Sequence, residues 1–279
     1  MRRNFGTTLR NNKGFATRLL DVFIIVNLAF LALDVFIAHA INGYAYTVEW
    51  LPVYFSLVAS VLFTGVIVIN NPRWLYWCRT CVGWSAICVG ITGMLLHLNS
   101  HFFTEMSLKN LVYAAPFVAP LTYTGIGMLL LLNNQISDTD LAWARWVVLL
   151  AVCGWCGNFI LSAFDHAQNG FFNVAEWLPV ITSAMAIGCL GVLLCVPYQQ
   201  RFVKFCVGVL CLNIIIGIAG FFFHLAAGLQ TPAIKHTEKF LYGAPLFAPL
   251  LFPNLSILAL LGISKLSTEA IQRASDIGV

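Results

Sequence analysis

The chain has 279 residues, 60% apolar and only 9% charged, with a net charge of +4 and a mean hydropathy of +0.86. Soluble domains carry roughly 25% charged residues, so a water-soluble globule is excluded. The few basic residues lie in ends and short loops, which leaves no basic face for nucleic acid.

A membrane-spanning helix needs about 20 apolar residues. Eight stretches fit that length, giving an all-α, polytopic membrane protein. The segment MRRNFGTTLRNNKGFATR is basic and polar, without a short apolar core and cleavage site, and reads as a tail over residues 1–18 before a retained first span. The spans then fall at about Leu19–Ala40, Glu49–Ile69, Cys81–Asn99 and Asn110–Leu132. After a linker over 133–145 come about Trp146–His166, Glu176–Val196, Phe205–Ala226 and Lys239–Ile263. In the linker, Asp138 and Asp140 are placed as solvated N-cap residues of the next helix. Residues 264–279 form a short polar helix or tail. Lys and Arg concentrate in the N-terminal tail, in the 2–3 loop (Arg73, Arg79), at Arg145, at Arg201 and Lys204, and in the C-terminal tail. By the positive-inside rule those regions are cytoplasmic and both termini face inward across a plasma (inner) membrane.

The chain reads as two tandem four-helix units, 19–132 and 146–263. His39–Trp50, HAINGYAYTVEW, answers His166–Trp177, HAQNGFFNVAEW, at an offset of 127 residues. The same offset joins GITGMLLHL, ending near His97, to GIAGFFFHL, ending near His224. Tyr113–Pro120, YAAPFVAP, answers Tyr242–Pro249, YGAPLFAP, at an offset of 129. An even number of spans per unit keeps the units the same way up, so the repeats are parallel.

The polar positions kept in both copies are the candidate site. His39 and His166 close the first helix of each unit, Glu49 and Glu176 open the second, and His97 and His224 end the third. All six lie at one depth, near the outer face. Ionisable groups inside a membrane are costly to bury and mark functional sites. Two imidazoles and a carboxylate form the minimal set for Fe, Mn or a catalytic Zn, with Cu also within reach of imidazole ligands. Doubled and convergent, four His and two Glu would suit a dinuclear ion pair. Haem b held by two histidines is the competing cofactor. Gly90, Gly93, Gly217 and Gly220 would then let a macrocycle approach, although small residues at that spacing more often pack helices. The plain alternative for the glutamates is a helix-terminal role beside Trp50 and Trp177 at the membrane interface.

Tyr113 and Tyr242 stand where each fourth helix begins, ahead of prolines that bend it, and are candidate proton carriers. His101, His236, Asp34 and Asp165 have no counterpart in the other copy and are placed as groups that could orient a ligand. Two CxxC pairs, Cys78–Cys81 and Cys153–Cys156, lie at different depths and read as free thiols.

The expected function is a metal-binding membrane redox protein or oxidase-type enzyme acting on a quinone-like or lipid substrate, alone, as a homo-oligomer or with a redox partner subunit. A bis-His haem electron carrier, a metal-ion or proton transporter, and a non-catalytic subunit or assembly factor are the alternatives. A transporter needs a second polar station toward the cytoplasm, where only Asn27, Asn158, Asn213 and thiols are evident.

Overall fold

The computed structural model describes residues 14–196, 198–230, 232, 236–241 and 243–276, and all regular structure among them is helical. Tyr242 and most of the expected N-terminal tail lie outside these residues. The helices are α1 (Phe15–Ala40), α2 (Trp50–Ile69), α3 (Pro72–His101), α4 (Leu108–Tyr113) and α5 (Leu121–Gln135). They are followed by α6 (Leu141–Gln168), α7 (Trp177–Cys195), α8 (Gln200–Gln230), α9 (His236–Leu241) and α10 (Leu251–Asp276). Single 3-10 turns at Thr47–Glu49, Val174–Glu176 and Ala248–Leu250 lead into α2, α7 and α10.

Among the described residues, seven segments are long and apolar enough to cross a membrane. The fourth of the eight expected spans, about Asn110–Leu132, is broken into α4 and the 15-residue α5. The cause is local. Pro116 and Pro120 lack the amide hydrogens a continuous helix requires, and a residue before proline avoids the α region. Ala114 has already turned to an extended conformation at ψ 162°. Pro245 and Pro249 interrupt the chain between α9 and α10 in the same way.

The core runs along α1 and α6. On α1, Ala16, Leu20, Ile24, Leu28 and Ala32 recur every fourth position and are all buried, the spacing that puts them on one face. On α6, Trp143, Val147, Ala151 and Trp155 do the same. Outward faces are apolar too: Val61 is 70% exposed and Val68 is 78% exposed. Such surface would be untenable in water and is matched to lipid. Helix α1 packs on α2, α3 on α5, α6 on α7 and α10, and α8 on α10. Between the first five helices and the last five, Asn27 and Asn254 pair through their amides, and Phe30 meets Phe247 edge-on at 5.2 Å.

One end of the bundle is closed by a buried polar network. The fully buried Arg79 donates from Nε to Asp21 Oδ1 at 3.0 Å and from Nη2 to Oδ2. Asn133 Nδ2 donates to the same Asp21 Oδ1 at 2.8 Å, and its own Oδ1 accepts from Trp143 Nε1 at 3.1 Å. Asp138 is only 2% exposed and accepts from the Thr17 amide at 3.1 Å, with Lys265 Nζ at 3.9 Å. Two expectations change here. Arg79 is not a loop cation, because α3 begins at Pro72, seven residues earlier. Asp138 is not solvated, because it caps α1 across the bundle. Asp140 does cap α6, accepting from the Ala142 amide at 2.9 Å.

Removing one partner strands the other in an apolar setting. Asp21→Ala is expected to destabilise the protein by about 3–5 kcal/mol, whereas Asp21→Leu with Arg79→Met restores most of the loss. Thermal unfolding in detergent of the two variants checks this; equal instability of both would refute it.

Candidate functional site

At the opposite end, two helix termini are built alike. Helix α1 ends in a Schellman turn: the Tyr44 amide donates to the His39 carbonyl at 3.3 Å and the Gly43 amide to the Ala40 carbonyl at 3.1 Å. Helix α6 repeats it, with Phe171 to His166 at 3.0 Å and Gly170 to Ala167 at 3.0 Å. Gly43 and Gly170 sit at φ 62° and 69°, the left-handed region that glycine tolerates. Tyr44 and Phe171 follow at φ 52° and 49°. A bulky residue there is strained and must be held by its surroundings. The hold is a stack: Tyr44 lies on Trp50 at 3.9 Å and Phe171 on Trp177 at 4.1 Å, both tilted by 14°. Each Trp directly follows its Glu, so the stack fixes Glu49 beside His39 and Glu176 beside His166.

The third histidine of each set is positioned by the proline breaks. In a continuous helix the amide of residue 120 would bond the carbonyl of residue 116, but Pro120 has no amide hydrogen. The Pro116 carbonyl accepts the Ala119 amide at 3.0 Å in a tight turn, and with no amide on residue 120 its second lone pair goes to His97 Nδ1 at 3.1 Å. In the other half the Pro245 carbonyl accepts the Ala248 amide at 3.3 Å and, with Pro249 giving no amide, His224 Nδ1 at 2.7 Å. A carbonyl only accepts, so the proton of each neutral ring is on Nδ1 and Nε2 carries the free lone pair.

The rings of His39 and His97 stand 6.1 Å apart, perpendicular to each other. The Glu49 carboxylate acts electrostatically on both. In the other set, His166 Nδ1 is 3.5 Å from Glu176 Oε2, within ion-pair reach but without hydrogen-bond geometry. His224 acts on His166 in turn. Burial, then the Glu49 carboxylate, raises the Tyr44 hydroxyl above the ordinary phenol range. Three buried atoms at this end have no hydrogen-bond partner: His39 Nδ1, Glu49 Oε2 and Glu176 Oε2.

The six expected residues thus gather as two sets of three. Among the described residues no hydrogen bond, ion pair or ring contact joins one set to the other. Among the described residues no group of three or more His, Cys, Asp or Glu side chains stands close enough together to hold a metal ion.

The accessory residues divide differently. Asp34, Asp165 and His101 make no hydrogen bond to any of the six among the described residues, and the His236 side chain lies outside them. Tyr113 is 56% exposed. The buried phenol of that half is Tyr123, 3% exposed and 2.7 Å from Ser56 Oγ. It donates weakly to the Pro52 carbonyl and lies within the field of Asp34. Its signal in the sequence was slight, a tyrosine inside an apolar run. The glycines are packing positions: a Cβ on Gly93 would meet Pro120 Cβ at 2.8 Å, and one on Gly217 would meet the Pro249 carbonyl at 2.7 Å. Their faces are filled by the neighbouring helix and offer no slot for a macrocycle. All nine cysteines are free thiols.

The polar station thought absent from the far end exists, as Asp21–Arg79–Asn133. Both Asp21 oxygens are already engaged there, so it holds helices rather than offering an open ligand position.

Family models, curated proteins and solved structures give no match to this chain.

A second amide donor, on residue 120, would compete with His97 for the remaining lone pair of the Pro116 carbonyl and should release the ring. In wild type, ¹⁵N spectra of labelled histidine are expected to show two rings protonated only at Nδ1. Pro120→Ala is expected to turn one of them into a tautomer mixture; unchanged spectra would sink this account of the prolines.

Proposed function

We propose that the chain is an integral membrane metalloprotein of the redox or oxidase type. It consists of two tandem, parallel four-helix repeats, each with its own metal site. His39, Glu49 and His97 would hold one ion, and His166, Glu176 and His224 the other. The observation that carries this reading is the unpartnered trio His39 Nδ1, Glu49 Oε2 and Glu176 Oε2 beside His97 and His224, whose free lone pairs are on Nε2. Buried polar atoms are ordinarily satisfied, and a cation bound within each set would satisfy them. The donor set is the N₂O combination that suits Fe, Mn or Zn. A metal-ligating histidine also characteristically gives its other nitrogen to a carbonyl, as His97 and His224 do. Imidazoles bound to one ion at about 2 Å have centroids on the order of 6 Å apart or less, which the His39–His97 spacing of 6.1 Å approaches.

A bound ion would supply Lewis acidity or one-electron chemistry. The chain's own residues would orient it, exclude water, and pass protons through Tyr113 or Tyr242. Two separate mononuclear sites are favoured over one dinuclear centre, because the contacts among the described residues close each set within its own half. Haem b is disfavoured by the filled glycine faces. The positive-inside distribution supports sites near the outer face of the plasma membrane with both termini cytoplasmic.

Elemental analysis of protein purified in mild detergent tests this. About two equivalents of Fe, Mn, Cu or Zn are expected, falling to about one in His97→Ala and to none in His97→Ala with His224→Ala. A Soret band, or the same metal content in wild type and the double variant, would refute the assignment.

A further inference from the structure

Behind the proline break of the first half lies a cavity of about 350 Å³, walled by the end of α3, by α4 and the chain after it, and by α6. It is bounded by residues of both halves. Its lining is about half apolar, with Val118, Ile160, Leu161 and Phe164, and half polar, with Asn42, Ser100, His101, Tyr113, Asp165 and Gln168. The Asp165, His101 and Tyr113 side chains have no hydrogen bond or ion pair among the described residues. Pro116 lines the same cavity, and its carbonyl is the one that holds His97. A molecule in the cavity would therefore sit one residue away from the ligand set of the first half.

We propose that this cavity is the site of a hydroquinone headgroup, held through the Asp165 carboxyl group. The substrate class rests on the redox reading above, and the binding argument stands on the cavity itself. A volume of about 350 Å³ is at the small end of ligand pockets, enough for one substituted ring with the start of a tail. No Lys or Arg lines it, so an anion finds no counter-charge. The half-buried Asp165 carboxyl needs a donor, and the apolar half of the lining, Val118, Ile160, Leu161 and Phe164, suits a flat uncharged body. A hydroquinone offers both: a ring to lie along Phe164 and Leu161, and a hydroxyl at each end, one for Asp165 and one for the margin formed by His101 and Tyr113. The oxidised quinone has no hydroxyl to give Asp165. The site accordingly prefers the reduced form.

Binding of duroquinol and of duroquinone to the detergent-solubilised full chain, followed by tryptophan quenching before and after treatment with a chelator, tests the proposal. Duroquinol is expected to bind at least about tenfold more tightly than duroquinone, the value of one hydrogen bond to a charged group. That preference should be lost in Asp165→Asn. Leu161→Trp, which fills the cavity, should abolish binding of both while eluting as a single species on size exclusion. Absence of duroquinol binding, an equal preference in wild type and Asp165→Asn, or Asp165-dependent binding of octylammonium in place of duroquinol would overturn it. Chelation leaves the expected result unchanged, so a protein without metal would defeat the function proposed above and not this site.

Discussion

The candidate site depends on two hydrogen atoms that are missing. Pro120 and Pro249 have no amide proton, so the carbonyls four residues earlier take one main-chain donor each, from Ala119 and Ala248, and keep a second lone pair open. Those lone pairs fall to His97 and His224. A histidine near the end of a membrane helix would otherwise swing freely or turn to the interface. Here its tautomer and its direction are set by the main chain of a neighbouring segment. The same prolines shorten the helix that follows and bring it against Gly90, Gly93, Gly217 and Gly220. One backbone defect thus positions the ring, ends the helix and fixes the packing of the pair that carries it.

The other two members of each set are held by different means. His39 and His166 sit where a helix is closed by a glycine in the left-handed region. Glu49 and Glu176 precede a tryptophan locked under an aromatic ring. Strained backbone at Tyr44 and Phe171 is tolerated because the stack returns the energy. Three independent devices, a proline break, a Schellman turn and an aromatic stack, converge on the same few ångströms in both halves.

Much of this was legible in the sequence, and the reason is contrast. In a chain this apolar, His39, Glu49 and His97 stand out, and their recurrence at one offset names His166, Glu176 and His224. The Asn-Gly step is visible as a chain reversal. The stack on Trp50 is not, because it depends on a left-handed aromatic that no spacing rule predicts. The far end was misread for a related reason. Arg79 counts as a loop residue when helices are bounded by hydropathy, yet α3 starts at Pro72 and carries the guanidinium inside. Asp21 and Asn133 are separated by 112 residues, and no local pattern announces that they touch. The expected copies of this network are Val148, Cys206 and Gly262, where a Cβ on Gly262 would meet the Val148 amide at 3.2 Å. The two halves therefore agree at the histidine end and differ at the other, one closed by charge and one by close packing.

The Asp21–Arg79 pair also has a consequence for how the chain is made. The two residues are 58 positions apart, and ribosomes add about 5–20 residues per second. The first helix thus emerges with its carboxyl group several seconds before its guanidinium partner exists. The Thr17 amide waits longer, since Asp138 follows 121 positions later. During that interval the start of α1 is best solvated at the lipid headgroups. Full seating of this helix belongs to a late step of biogenesis, after α5 and the turn beyond it have left the insertion machinery.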